Sequence, residues 1–379
     1  MLSLNNFYTI DTPEKAAFIQ IKNGKITLDT FDELKPIDCK GSFLLPGFIN
    51  FHDHLDFNLF PQLGKEHYQN YTEWGPFIQA EFKNEIKEVL SITQQLRTQW
   101  GIYKNLLNGF TTVVNHGEKL INENELINVI QHFTNLHSPA FEKNWQWKLK
   151  NPFNLRVPVS MHIGEGIDEL ANKEIEDVIH HNWLQKKIIA IHTLQINQQQ
   201  SKRFTGIVTC PASNHFMFNQ TINSHQVEEG KLLFGSDSTL TADWNIWNHF
   251  KLAVNQYSFS NNTLLQSLTT NAASILKLNS NATIEDGSDA DLLLIQPKQK
   301  KEFCLADYSC EDIFMLLSKG NILLFDETLK NDISIEGFTL VKVNSVLKYV
   351  KGNLLKLMND IKKYNSNIHF PIQAISYHD

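Results

Sequence analysis

The sequence predicts an α/β protein: a (β/α)8 barrel of the TIM type with a small β-sandwich domain built from both chain ends. Three observations predict it. Through the middle of the chain, short apolar strands alternate with longer amphipathic stretches, and such alternation implies parallel strands joined by crossover helices. At both ends strand and turn signals dominate instead. Finally, polar side chains of metal-ligating type recur just after the central strands, where barrel enzymes carry their chemistry. A length of 379 residues suits one large barrel with an appendage, and 42% hydrophobic residues rule out wholesale disorder.

Taken in order, Ala17 to Ile21 reads as a strand, Asn23-Gly24 as a hairpin turn, and Lys25 to Leu28 as the returning strand. Asp291 to Ile295 and Ile322 to Phe325 repeat that character, with Gly287 and Gly320-Asn321 as turns. Between the ends, Phe48 to Phe51, Thr111 to Val114, Pro158 to Ile163, Ile188 to Ile191, Gly206 to Thr209 and Leu232 to Phe234 read as buried strands. Glu81 to Leu107 reads as one long helix, and Glu169 to Leu184 as another with Leu170, Ile175, Val178 and Ile179 on one face. The segment 117–157 must supply two more strands, read as His132 to His137 and Trp145 to Leu149. Val346 to Lys363 reads as a basic amphipathic helix. The expected domains are therefore 1–45 with 280–338 as the composite β-domain, 46–279 as the barrel, and 339–379 as a helical tail.

Composition narrows the partners. There are 34 Lys+Arg against 41 Asp+Glu, a net charge of −7, and no long basic run, so neither nucleic acid nor an anionic membrane surface is expected. The apolar stretch Phe43 to Phe51 is interrupted by Pro46-Gly47 and is too short to span a bilayer. The first residues lack the pattern of an export signal. Four cysteines (Cys39, Cys210, Cys304, Cys310) form no CxxC pair, which leads us to expect a reduced, cytoplasmic protein.

The chemistry is carried by strand ends. In Phe51-His52-Asp53-His54 the two histidines, one residue apart on a strand, point to the same face and can aim at one metal ion. His162 ends the strand that begins at Pro158, His192 follows Ile188 to Ile191, and Asp237 follows Leu232 to Phe234. Each alone could be a satisfied polar residue; four placements in separate βα units point to a metal site. Glu165, in His162-Ile163-Gly164-Glu165-Gly166, is placed to act as a carboxylate near that site. Its plainer reading is a helix-start residue. His116, Asn214 and Trp74 are candidate substrate contacts, with His137 and His215 in comparable positions.

The run Ile37 to Asp56 (IDCKGSFLLPGFINFHDHLD) resembles the first barrel strand of the amidohydrolase superfamily. The ordered set His-x-His, His-x-x-Glu, His and Ser-Asp-Ser is similar to its cytosine/guanine deaminase and chlorohydrolase (ATZ/TRZ-like) branch. Asn108 to Val114, Cys210 to Asn214, Leu268 to Ala273 and Glu285 to Asp291 extend the likeness over roughly residues 15–330. The resemblance implies one divalent ion per chain, zinc first and iron as the alternative. His52, His54, His162 and Asp237 would be its ligands, and Glu165, His192 and Asp237 the catalytic groups. A bridging lysine, as in binuclear relatives, would have to be Lys148 or Lys150, whose surroundings do not match. The implied function is hydrolysis of carbon–nitrogen bonds other than peptide bonds, foremost deamination of an aminated heterocycle. A cyclic amide hydrolase or chlorohydrolase would use the same residues, and a barrel kept as a non-catalytic subunit is the remaining alternative. The expected partners are a small-molecule substrate and, for assembly, a second copy of the chain.

Overall fold

The computed structural model describes residues 1–10, 17–28, 34–65, 67–120, 126–278, 282–298 and 302–376. The expected domain boundary at 279/280 and His378 lie outside the described residues. Among the described residues, four strands open the chain: β1 (Leu2–Thr9), β2 (Ala17–Lys22), β3 (Lys25–Thr27) and β4 (Ile37–Pro46). Eight follow in the middle: β5 (Phe48–Asp53), β6 (Phe110–Asn115), β7 (Asn128–Ile130), β8 (Thr134–Leu136), β9 (Val159–Ile163), β10 (Ile188–His192), β11 (Gly206–Thr209) and β12 (Leu232–Phe234). Six close it: β13 (Leu292–Ile295), β14 (Ile313–Ser318), β15 (Asn321–Asp326), β16 (Phe338–Val343), β17 (Val346–Lys351) and β18 (Gln373–Ile375).

Strands from both ends make one ten-stranded sheet in the order β18-β16-β17-β15-β14-β13-β4-β1-β2-β3. By its pairing this is a single continuous sheet, where sequence reasoning expected a sandwich. Its turns are where the sequence puts them. Asn23 and Gly24 both have positive φ (53° and 76°), as a two-residue hairpin with the right-handed strand twist requires. The tail is a correction. Phe338–Val343 and Val346–Lys351 are antiparallel strands, and the helix is confined to Leu354–Tyr364. Val346 to Lys351 alternates in a way that either element could use; Gly352, at φ 93°, separates it from the helix.

The eight middle strands are parallel and lie in two ladders, β5-β6-β7 and β12-β11-β10-β9-β8. Every residue of β5, β6, β9, β10, β11 and β12 is buried, as expected of parallel strands covered on both faces. No ladder joins the two groups among the described residues, so the pairing is two arcs and not one closed ring. At one seam single hydrogen bonds cross instead: Asp237 N donates to His52 O (3.1 Å) and Ser236 N to Asn50 Oδ1 (2.9 Å). At the other, β7 and β8 are three residues each and only three residues apart, too short to pair and carry a crossover helix.

Three other expectations are corrected. Trp145–Leu149 is a short helix, α4 in chain order after α1 (Tyr71–Glu81), α2 (Lys83–Leu90) and α3 (Gln94–Leu107). It starts from Asn144 in the left-handed region (φ 58°), and the third and fourth strands are β7 and β8 instead. The long helix expected over 81–107 is broken at Phe82 and again at 91–93, where Ile92 turns fully into the core. Helix α5 (Glu169–His181) ends three residues early and buries Ala171, Glu174, Ile175 and Val178, while Leu170 is exposed. Helix α3 is seated tightly: a Cβ on Gly101 would lie 2.1 Å from Leu55 O, so only glycine lets the helix press on the turn after His54. No helix among the described residues is long and apolar enough to cross a membrane.

Candidate metal centre

Strands β5, β9, β10 and β12 deliver their last residues to one place. His52 Nε2 lies 3.9 Å and His54 Nε2 4.0 Å from Asp237 Oδ1. His54 Nε2 is 3.4 Å from His162 Nε2, and His192 Nε2 is 4.0 Å from Asp237 Oδ2. Two groups, His52-His162-His192 and His52-His54-Asp237, each offer ligand atoms within 4.8 Å of one another. Two ligands about 2.0–2.1 Å from a tetrahedral ion would be roughly 3.3 Å apart, so these gaps suit donors grouped around a single ion.

The hydrogen bonding says the same. Among the described residues, both ring nitrogens of His52, which is 1% exposed, have no hydrogen-bond partner, and neither does His192 Nε2. Buried polar atoms seldom go unpaired, so a missing partner is the economical account. His162 Nδ1 meets His137 O at 2.9 Å, and His192 Nδ1 meets Asn214 Oδ1 at 2.6 Å. Both acceptors hold the proton on Nδ1 and leave Nε2 free to face the centre, the usual support for a ligating imidazole. Burial first, then the neighbouring imidazoles, pushes His52 and His162 well below the ordinary histidine range, keeping them neutral and able to ligate. Burial also works to raise Asp237, but His54, His192, the Ser213 hydroxyl and the Ser238 N–H outweigh it and hold the carboxyl below its ordinary value.

Backbone strain marks the same spot. His192 (φ 71°) and Asp237 (φ 57°) both sit in the left-handed region. Such conformations cost about 1–3 kcal/mol and persist where the surroundings over-determine them. For Asp237 the surroundings are explicit: its N–H donates to His52 O, its Oδ2 accepts from Ser213 Oγ (2.8 Å), and its carbonyl accepts from Lys104 Nζ (2.8 Å).

Lys104 is the residue sequence reasoning missed. It is fully buried on α3, and its Nζ donates also to Asn58 Oδ1 (2.8 Å), Ser236 Oγ (3.2 Å) and Asp53 Oδ2 (3.3 Å). Asp53 accepts further from Asn58 Nδ2 (2.9 Å) and Asn105 Nδ2 (2.7 Å). A polar raft thus lies under the ligands.

Glu165 lies 3.5 Å from His192 Nε2 and faces a cavity of about 500 Å3 above the centre. Burial, reinforced by Asp237 and Glu174, raises its carboxyl well above the ordinary glutamate value. Its loop is held from behind by Glu174, which accepts from Gly164 N (3.1 Å) and from the Tyr71 hydroxyl (2.6 Å). Burial pushes Glu174 up to about 7. Tyr71 N in turn donates to Glu165 O (3.0 Å).

Trp74, His137 and Tyr71 line the cavity with His54, Glu165 and Asp237. The other expected substrate contacts do not. His116 packs edge-on against His162, His52 and His54 (4.6–5.3 Å between ring centroids) and is 5% exposed. Asn214 is fully buried behind His192. His215 pairs with the Tyr257 hydroxyl (2.8 Å) beside a separate cleft. All three stand near strand ends, but none is among the residues that line this cavity. Lys148 is ion-paired with Glu142 on the exposed α4 and offers no bridge to the centre.

Residues 148–324 match the Amidohydrolase family. The chain carries that match over just under half of its length. As an enzyme of the amidohydrolase type it shares its fold with solved structures of low identity. One is an adenosine deaminase from Xanthomonas campestris with bound zinc (14% identity, 97% of this chain and 98% of that one covered, TM-score 0.66). Another is a mutant of atrazine chlorohydrolase from Arthrobacter aurescens with zinc and atraton (14%, 96% and 100%, 0.66). A third is the aminofutalosine deaminase of Helicobacter pylori in complex with methylthio-coformycin (12%, 85% and 100%, 0.63). A search of curated proteins finds no match.

Proposed function

We propose that this amidohydrolase removes an amino group from an aminated heterocycle by hydrolysis, with one divalent ion held by His52, His54, His162 and Asp237. The observation that carries the reading is the convergence of these side chains on one point, with Glu165 and His192 at its edge and a cavity above. Three imidazoles and a carboxylate suit zinc, and iron is the alternative. We read the two arcs of parallel strands as staves of one barrel, with the centre at its C-terminal mouth. A cytoplasmic location and a homodimer belong to the same reading.

A divalent ion bound there would supply an acidified water, its pKa lowered from about 15.7 towards about 7. The chain's own groups do the rest. Asp237, held ionised, takes the water's proton as its oxygen adds to the ring carbon. Glu165, kept protonated by burial, gives a proton to the departing nitrogen, and the C–N electron pair leaves with that nitrogen. His192 accepts through Nε2, because Asn214 holds its proton on Nδ1. Asp237, whose Oδ2 is 4.0 Å from that nitrogen, can hand it the proton taken from the water, and the imidazolium can then stabilise negative charge on the attacked centre before returning the proton to Glu165, 3.5 Å away.

The test is a screen for released ammonia or amine over purines, pyrimidines, pterins and triazines, using metal-loaded protein beside His54→Ala. We expect turnover by the first and none by the second. A protein that binds its ion and releases amine from none of these rings would overturn the reading.

A further inference from the structure

We infer that the substrate is an uncharged, flat aminoheterocycle carrying an apolar substituent, and that the site discriminates against anionic ones. This rests on the aminoheterocycle reading above. The cavity wall beyond the centre is built of Phe57, Trp74, Ile78, Phe141 and Leu240. The polar ends of Trp74 and Tyr71 are turned into the protein, while Gln79 lines the cavity as an exposed amide. Trp74 Nε1 donates to Leu63 O (2.8 Å), and the Tyr71 hydroxyl is committed to Glu174. Both rings therefore offer the cavity carbon surface.

Charge points the same way. Among the described residues that line the cavity there is no lysine or arginine. Two basic side chains of the helix beneath the ligands are already paired, Lys104 with Asp53 and Arg97 with Asp56, both at 3.3 Å. A carboxylate or phosphate on a substituent reaching away from the centre would be desolvated against the aromatic wall with no lysine or arginine to meet it, and that is costly. A single planar ring does not fill about 500 Å3, which lies in the range of pockets that take drug-sized ligands. With the ring edge at the centre, the remaining space is lined by Trp74, Phe141 and Leu240, a setting for an alkyl or similar group. Phe141 stacks edge-on to Tyr71 (5.3 Å) and is 46% exposed, so it closes the wall without belonging to the core.

The experiment uses metal-loaded full-length protein and three forms each of adenine, cytosine and an aminotriazine: the parent ring, its N-propyl derivative and its N-carboxyethyl derivative. The last two share a three-carbon chain and differ in the charged carboxylate at its end. For the ring that turns over, kcat/KM should be at least about tenfold lower for the carboxyethyl form than for the propyl form. Phe141→Ala should lower kcat/KM for the propyl form more than for the parent. Equal or better use of the carboxyethyl form, or a Phe141→Ala variant that treats propyl and parent alike, would overturn the inference and leave deamination standing. Absence of amine release from every compound, with one ion bound per chain, would instead overturn the deaminase reading itself.

Discussion

Replacing Lys104 by methionine removes a cation that the fold has surrounded. The side chain is fully buried, and its four partners are Asp53, Asn58, Ser236 and the Asp237 carbonyl. Methionine fills similar space, so little of the effect comes from a cavity. What remains is the Asp53 carboxylate, 0% exposed, with amide donors from Asn58 and Asn105 but no counter-charge. Breaking a buried pair by removing one partner costs about 3–5 kcal/mol. The two amide donors place the expectation towards the lower end, about 3 kcal/mol. Adding Asp53→Asn removes the stranded charge, so the double variant should recover about 1–2 kcal/mol relative to Lys104→Met alone, a non-additivity expected of contacting groups. The assay is urea unfolding followed by tryptophan fluorescence, with chelator present so that ion binding does not add stability by mass action. The Asp237 carbonyl also loses its anchor, so zinc affinity in a competition titration should fall about 10–100-fold. Were Lys104→Met to unfold within about 1 kcal/mol of wild type, or the second substitution to deepen the loss, the raft beneath the ligands would be a passive packing feature.

Three further outcomes follow from the same geometry. Glu165→Gln should keep its ion, by elemental analysis, and lose about 10²–10⁴-fold in turnover, since an amide cannot pass the proton; full turnover would reduce Glu165 to a loop residue. Asn214→Ala should also keep the ion but lower kcat more than it raises KM, because His192 loses the acceptor that fixes its proton; an unchanged kcat would show that Asn214 only packs. Glu174, raised in the folded state from an ordinary value of 4.5 to about 7, binds more protons folded than unfolded. Its contribution to stability is therefore complete below pH 4.5 and lost as pH rises through about 7, a window that Glu174→Gln should flatten in unfolding curves compared with wild type.

Much of the centre was legible because each of its members ends a short apolar run: His52 after Phe51, His162 after Met161, His192 after Ile191, Asp237 two residues after Phe234-Gly235. Strand-end position is a local property, and a sequence displays it. Lys104 was not legible. In Gln99 to Leu107 it reads as one more solvated helix charge, and only the tertiary approach of β5 and β12 supplies the partners that let it be buried. The same holds for Asn214, whose strand-end position suggested the cavity while its amide is spent on His192. Trp145 to Leu149 alternates as a strand does, and over five residues periodicity cannot separate the two elements. The tail failed in the opposite sense. Val346 to Lys351 was joined to the helix that follows, although the strand pairing with Phe338–Val343 decides its form.

The ten-stranded sheet places β4 between a strand made earlier and one made much later. Pro46 pairs with Leu292, and Phe43 with Ile295. During synthesis at about 5–20 residues per second, the 246 residues from Gly47 to Leu292 take roughly 12–50 s to appear. For that interval one edge of β4, ending immediately before the strand that bears His52, has no neighbour. An unpaired apolar edge is a template for the wrong partner. The nascent chain therefore passes through a long stage in which its ligand-bearing first strand is tethered to an incomplete sheet. Stalled chains cut short of residue 292 should be the ones a chaperone holds.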